Sequence, residues 1–279
     1  MTVITRFAPS PTGHLHIGHA CAAIFAFDAA RAAGGRFLLR IENIDASRCR
    51  PEFEVAILAN LAWLGLLWEE PVRRQSDHFA DYRAALARLE SLGVLYPCFC
   101  TRADIQREIA ASPAAPHGPD GPLYPGTCRH LGTAERAQRM AAGEAYALRL
   151  DVEKALAGLP APLTFHDASH GTIAAEPRQF GDVVLARKET PASYHLSVTV
   201  DDHLQGVSLV TRGEDLLPAT HVHRLLQALL GYAVPDYRHH RLLLDKHGQR
   251  FAKRNRSVTL RSLRESGVTA AEIRRRVGL

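Results

Sequence analysis

RFAPSPTGHLHIGHA, Arg6 to Ala20, is the stretch that decides how this chain is read. The apolar run Val3 to Phe7 enters it as a buried strand, and Pro9-Ser10-Pro11-Thr12-Gly13 turns the chain. An Ala-rich segment from Ile17 to Ala33 leaves it as a helix that Gly34-Gly35 ends. A turn at the carboxyl end of a strand thus delivers His16, Gly18 and His19 to the start of a helix. Free backbone N–H groups and the positive end of the helix dipole make that place suitable for phosphate. Gly18 lets a base or ribose approach the backbone. Imidazoles three residues apart share one helix face and can hydrogen-bond the oxygens of an α-phosphate as its charge grows. A bare HxxH pair is more often plain polar capping, so the remainder of the chain has to support the chemistry.

Outward from this stretch, Arg36–Ile41 reads as the next strand, and Pro51–Leu64 and Phe79–Leu92 as amphipathic helices. Strand, helix, strand with short connections is a βαβ unit, hence an α/β fold on a parallel sheet. The pattern breaks between Pro97 and Gly143, where three cysteines flank a Pro/Gly-rich run from Ser112 to Gly126. That break reads as an insertion with its own staple. Strands are expected to resume at Ala145–Leu150, Asp182–Ala186, Leu196–Val200 and Ser208–Arg212, with a helix near His221–Leu230. A Lys/Gly/Arg-rich loop and a short basic helix follow Leu242. No internal repeat is evident.

With 46% hydrophobic and 23% charged residues the chain has the composition of a soluble globular protein with a sizeable core. Neither a signal peptide nor an apolar run of bilayer length is evident, so a cytoplasmic protein without a membrane partner is expected. Five cysteines, an odd number, disfavour a secreted disulfide framework. Of the net charge of +5, residues 246–279 contribute +8, from ten Lys/Arg against two acids, which leaves −3 elsewhere. A basic tail on a slightly acidic body suits a polyanionic partner, although a solvated charged helix would have the same composition.

The string PSPTGHLHIGH resembles the signature of class I aminoacyl-tRNA synthetases, and its leading RFAPSPTG is similar to the glutamyl/glutaminyl branch. Late in the chain, DKHGQRFAKRN, Asp245 to Asn255, resembles the KMSKS loop of that class. The resemblance implies that ATP is held by Thr12, Gly13, His16, Gly18, His19, Arg250 and Lys253. His16, His19 and Lys253 would be catalytic, the lysine neutralising the β- and γ-phosphates as pyrophosphate leaves. Two motif positions depart from the family: Arg250 replaces a lysine, which keeps the charge and changes its geometry, and Ala252 replaces a serine.

Activating glutamate means holding two carboxylates and one ammonium while one carboxylate reacts, which calls for an arginine fork and a carboxylate. RIENID resembles the family's RIEDTD segment, and SYHLSVTVDDHLQGVSLVTRGEDLL resembles the segment that supplies a tyrosine and a second arginine. By resemblance Glu42 would bind the α-ammonium, with Arg6, Tyr194 and Arg212 around the carboxylates and Phe7, Ala8, Pro9 and Ser10 lining the pocket. Which arginine takes the side-chain carboxylate stays open at this level.

Cys98-x-Cys100 and Cys128 could give three thiolates of a closed, structural zinc site, with His117 or His130 as chemically ordinary fourth ligands. The spacing CxC…YxxxC is similar to that of the glutamyl-queuosine tRNA(Asp) synthetase family, and there Tyr124 is the matching fourth position. Only about 25 residues follow Arg254, too few for a separate anticodon-reading domain, and this narrows the resemblance to that family. It implies a Rossmann-like catalytic domain in two halves (1–96 and 190–241), a zinc-stapled insertion (97–189), and a KMSKS-like loop with a helical tail (242–279). It also implies one zinc per chain and Mg²⁺ with ATP, and as partners ATP, L-glutamate and a tRNA(Asp) carrying queuosine, on a monomer. The competing expectations are a minimal glutamyl-tRNA synthetase charging a 3′ end, a tRNA-independent nucleotidyltransferase, and a non-catalytic RNA-binding remnant.

Overall fold

A computed structural model describes residues 2–111, 117–119, 121–160, 162–187, 190–243 and 258–279. The elements run β1 (Ile4–Phe7), α1 (Ile17–Ala32), β2 (Arg36–Ile41), α2 (Pro51–Trp63), β3 (Glu69–Arg74), α3 (Phe79–Ser91) and β4 (Leu95–Cys98). Next come α4 (Arg102–Ala111), β5 (His117–Gly118), β6 (Gly121–Pro122), α5 (Thr133–Ala141), β7 (Ala147–Leu150), α6 (Val152–Ala157), β8 (Thr164–Asp167), β9 (Gly171–Ala174) and β10 (Val184–Arg187). The chain then forms α7 (Tyr194–Leu204), β11 (Leu209–Gly213), α8 (Ala219–Leu230), β12 (Asp236–His240), α9 (Leu260–Glu265) and α10 (Ala270–Val277).

β1, β2 and β3 form a parallel sheet with β2 in the middle. β11 lies alongside β1: the Ser208 N–H donates to the Ile4 carbonyl at 3.0 Å, and the Ile4 N–H to the Ser208 hydroxyl at 2.9 Å. β12 continues in parallel from β11, and the β8–β9 hairpin joins β12. Reading across, strand order reverses between β1 and β11, the topological switch point at which open α/β sheets bind ligands. A separate antiparallel sheet, β10-β7-β4, carries the Cys-containing stretch. The hairpin β8–β9 lies within the 97–189 stretch, yet it extends the sheet of β11 and β12.

Residue size explains how α1 sits so close to the first sheet. Ala20, Ala23, Ala26 and Ala30 are buried on its inner face with Ile24 and Phe27, and the Thr5 hydroxyl reaches the Ala26 carbonyl at 2.8 Å. Gly35 is needed for the return into β2, since a Cβ there would lie 2.1 Å from the Val3 carbonyl oxygen. The tail closes over α1: Ile273 and Val277 enter the same core, and Arg274 pairs with Asp28 at 2.8 Å. A second core gathers α3, α7 and α8 around Tyr82, Leu196 and Leu225. Among the described residues no helix is long and apolar enough to cross a membrane.

One expected strand is corrected. Leu196–Val200 is not extended but lies inside α7, a helix capped by the Ser193 side chain. The β-branched run Val198-Thr199-Val200 suggests a strand on intrinsic preference, but every residue from Leu196 to Asp202 is buried, and packing outweighs so weak a preference. β3 went unanticipated for the opposite reason: EEPVRR has only Val72 buried, so it carries no apolar alternation to read.

Candidate functional site

The helix start delivers both imidazoles in a defined protonation form. His16 is the N-cap of α1, and its Nδ1 accepts the Gly18 N–H at 3.1 Å. His19 Nδ1 in turn accepts the His16 N–H at 3.1 Å, closing a capping box. An imidazole whose Nδ1 accepts carries its proton on Nε2 when neutral. The capping bonds therefore fix both rings, 3.8 Å apart centre to centre, as Nε2–H donors. Capping, one of the two alternatives on sequence alone, is observed here, and it uses the Nδ1 side of each ring. The turn before them is pinned by β2 and its exit: the Glu42 N–H bonds the Pro9 carbonyl and the Arg50 N–H the Pro11 carbonyl, each at 3.0 Å. Ser10, Thr12, Gly13 and Gly18 are all half-buried along it, with Ala8, while Phe7 and Pro9 are buried.

Beside this turn the switch point holds Arg6 on β1, Glu42 just past β2, Tyr194 at the first position of α7 and Arg212 on β11. Tyr194 lies within electrostatic reach of all three others: burial raises the pKa of its phenol first, with Arg212 and Arg6 opposing and Glu42 and Asp202 adding. Its hydroxyl is 3.4 Å from Arg212 Nη1. Glu42 is pushed above the ordinary carboxylate range by burial, against the pull of Arg40 and Arg6.

The two arginines differ in their partners. Arg6 is gripped by Asp202, Nε at 2.9 Å and Nη2 at 3.3 Å, with Nη1 on the Thr211 carbonyl. Arg212 bonds only neutral groups among the described residues: Nε to His239 Nε2 at 3.1 Å, Nη1 to His223 Nδ1 at 3.3 Å, and Nη2 to the Thr220 hydroxyl at 2.5 Å. Burial first, and then the guanidinium itself, depress the pKa of both imidazoles, that of His239 to about 4 and that of His223 well below its usual value. Arg212 is thus a cation 5% exposed with no counter-ion among the described residues. A buried charge left so is costly unless a ligand completes it.

Sequence reasoning missed the frame beneath. Asp202, from α7, is shared between Arg6 and the fully buried Arg40, whose Nη1 lies 2.8 Å away. Arg40 also reaches Glu42 at 3.3 Å and Gln205 at 3.0 Å. Asp201 takes Arg73, Gln75 and the Tyr82 hydroxyl. The adjacent acids in VDDH follow the run expected as a strand, and inside α7 they serve different partners.

In the separate sheet, the sulfurs of Cys98, Cys100 and Cys128 lie within 4.8 Å of one another, so the three could hold a metal ion. Cys100 and Cys128 sulfurs are 3.4 Å apart, and the Tyr124 oxygen is 3.5 Å from the former. Tetrahedral Zn–S bonds of about 2.3 Å place sulfurs roughly 3.8 Å apart, so the spacing fits. Tyr124 accepts the Cys128 N–H at 2.9 Å, and the Arg149 guanidinium lies 3.8 Å over its ring. Arg250 and Lys253 lie outside the described residues. Of the residues flanking theirs, Leu243 packs on the α1 core, and Thr259 forms a bridge with His16 while the Leu260 N–H bonds the Leu15 carbonyl at 2.8 Å.

Residues 2–278 match the family described as tRNA synthetases class I (E and Q), catalytic domain. A glutamyl-Q tRNA(Asp) synthetase of Rhodobacter capsulatus is 50% identical over 99% of this chain and 100% of its own length. One from Nocardia farcinica is 44% identical over 96% and 81%. The crystal structure of a glutamate-tRNA synthetase from Elizabethkingia anophelis superposes with a TM-score of 0.78 at 27% identity, covering 91% of this chain. The chain spans about half of that structure, 53%.

Proposed function

The chain belongs to the class I tRNA synthetase catalytic-domain family for glutamate and glutamine, and we propose that it activates L-glutamate with ATP and transfers it to queuosine in the anticodon loop of tRNA(Asp). The buried Arg212, with no counter-ion among the described residues and with Tyr194 and Glu42 beside it, is the observation that carries the glutamate assignment. Near-full-length similarity to glutamyl-Q tRNA(Asp) synthetases supports the acceptor.

On this reading Glu42 takes the α-ammonium and Arg212 with Tyr194 the side-chain carboxylate, while Arg6, already committed to Asp202, shapes the wall on the β1 side. The α-carboxylate oxygen then attacks the α-phosphorus in line, and the bond to the β-phosphate oxygen breaks. The Nε2–H groups of His16 and His19 stabilise the charge on the α-phosphate, and Arg250 and Lys253 that on the departing pyrophosphate. Mg²⁺ would enter with ATP and offset charge on its phosphates. A ring hydroxyl of queuosine next attacks the carbonyl carbon of the mixed anhydride, forming the ester and releasing AMP. Cys98, Cys100, Cys128 and Tyr124 would hold one zinc with every position filled by protein, so it staples the insertion and takes no part in the reaction.

The test is glutamate-dependent ATP–pyrophosphate exchange, followed by mapping the nucleotide that carries labelled glutamate. The expected results are exchange without tRNA, lost in His19→Ala and Lys253→Ala, and label on the queuosine of tRNA(Asp). Label at the 3′ end would instead establish a minimal glutamyl-tRNA synthetase.

A further inference from the structure

The pocket's cation is held in place by imidazoles where its neighbour Arg6 has a carboxylate. We propose that Asp167 and His239 are positioning residues that aim Arg212 at the substrate and so set the preference for an acidic over an amide side chain. The inference rests on the glutamate-activating reading.

Three neighbouring strands supply the parts: Asp167 ends β8, His239 lies on β12 and Arg212 on β11. Asp167 is fully buried, and its Oδ1 accepts the N–H groups of Ser169 at 2.9 Å and His170 at 3.1 Å and meets His170 Nδ1 at 2.8 Å. Its Oδ2 accepts the His239 N–H at 3.1 Å and meets His239 Nδ1 at 2.7 Å. Five such bonds make Asp167 a fixed carboxylate: burial alone would raise its pKa, but the bonds from His170 and His239 bring it to about 2. An ionised carboxylate can only accept, so His239 carries its proton on Nδ1 and offers the Nε2 lone pair to Arg212 Nε.

The interposed ring separates two things that a direct ion pair would couple. Asp202 orients Arg6 and also cancels its charge. Asp167 orients Arg212 through a neutral imidazole and leaves the guanidinium charge for the ligand. On the far side His223 and Thr220 do the same, with His223 Nε2 backed by His195 Nδ1 at 3.2 Å. A substrate carboxylate then compensates the charge, which a carboxamide of the same shape cannot. Without the ring, Asp167 and Arg212 are free to pair directly, and the site loses what distinguishes the two substrates.

The experiment is ATP–pyrophosphate exchange by the full chain with glutamate and with glutamine, comparing wild type, His239→Ala and His239→Gln. Gln can accept from Arg212 and donate to Asp167. Since a hydrogen bond to a charged group carries roughly one to two orders of magnitude in equilibrium, His239→Ala should raise the glutamate KM by about 10–100-fold. It should leave kcat within about threefold and lower the glutamate-to-glutamine ratio by a similar factor, while His239→Gln stays near wild type. A general packing defect would not produce that split or that rescue. ¹⁵N NMR of the wild-type histidines, which does not depend on a variant folding, should show His239 protonated at Nδ1 and bare at Nε2. The opposite tautomer, or a folded, active His239→Ala with unchanged KM and ratio, overturns the proposal. Wild-type chain with no glutamate-dependent exchange overturns the reading beneath it, a result distinct from either.

Discussion

Acidification from pH 6.5 to 5 should destabilise this protein in part through a single buried ring, and the size of the effect follows from where that ring sits. His239 is 2% exposed, between Asp167 and Arg212. An aspartate at 2.7 Å would ordinarily raise an imidazole's pKa, but burial and the guanidinium on the opposite nitrogen win and bring it to about 4, from 6.5 unperturbed. Below pH 6.5 the unfolded chain therefore takes up a proton that the folded chain refuses. The contribution is fully present above the unfolded value and is lost as pH falls, at about 1.4 kcal/mol per unit. At pH 5 the loss is about 2 kcal/mol, and it approaches about 3 kcal/mol near pH 4. His239→Gln cannot titrate but can make both hydrogen bonds, so it should remove this component and leave other groups in place. Urea unfolding followed by circular dichroism at pH 6.5, 5.75 and 5 should give a wild-type stability that falls about 2 kcal/mol further than that of the variant. Parallel lines for the two proteins would refute the neutral-ring account of Arg212.

Replacing Asp202 by Asn leaves Arg6 and Arg40 buried without their shared carboxylate. Breaking such a pair costs about 3–5 kcal/mol, so urea unfolding should show at least that loss, and a change under about 1 kcal/mol would count against the frame. The glutamate KM should rise as pH falls, starting above the ordinary carboxylate range, because Glu42 with its raised pKa protonates early and then no longer attracts the ammonium. Glu42→Gln should give a high, flat profile over the same span, and a flat wild-type profile would contradict the assignment. Metal analysis should return one zinc per chain, lost in Cys128→Ser together with thermal stability of the β10-β7-β4 sheet region. A metal-free wild type with Cys98 and Cys100 freely alkylated would reject the site.

The nucleotide turn was legible because its requirements sit in contiguous residues: a strand end, two prolines, a glycine and two histidines one helical turn apart. The thiols were legible through spacing alone. Arg40, Asp201 and Asp202 were not, because the β-branched run before the two acids mimics a strand while the burial that makes it a helix comes from distant elements. Asp167, His223 and His239 carry no local signal at all. Asp167 and His239 come to Arg212 through the pairing of β8, β12 and β11, and His223 through the return of α8, so no motif of adjacent residues contains the relation. In the tail Arg274 pairs with Asp28, Arg275 and Arg276 with Glu272, and Arg261 with Glu265, while Ile273 and Val277 make the same segment core, a packing role that charge counting does not register.

The bridge between Thr259 and His16, and the packing of α10 on α1, give synthesis of the chain a direction. During translation the first helix emerges early, with its signature histidines, but the segment that lies against them is separated by some 240 residues. Closing so long a loop is entropically slow and rewards the chain only at the end. The start of α1 is therefore completed only once Thr259 and Leu260 have been made, and a chain cut short before them would keep His16 and His19 without the segment that bridges to them.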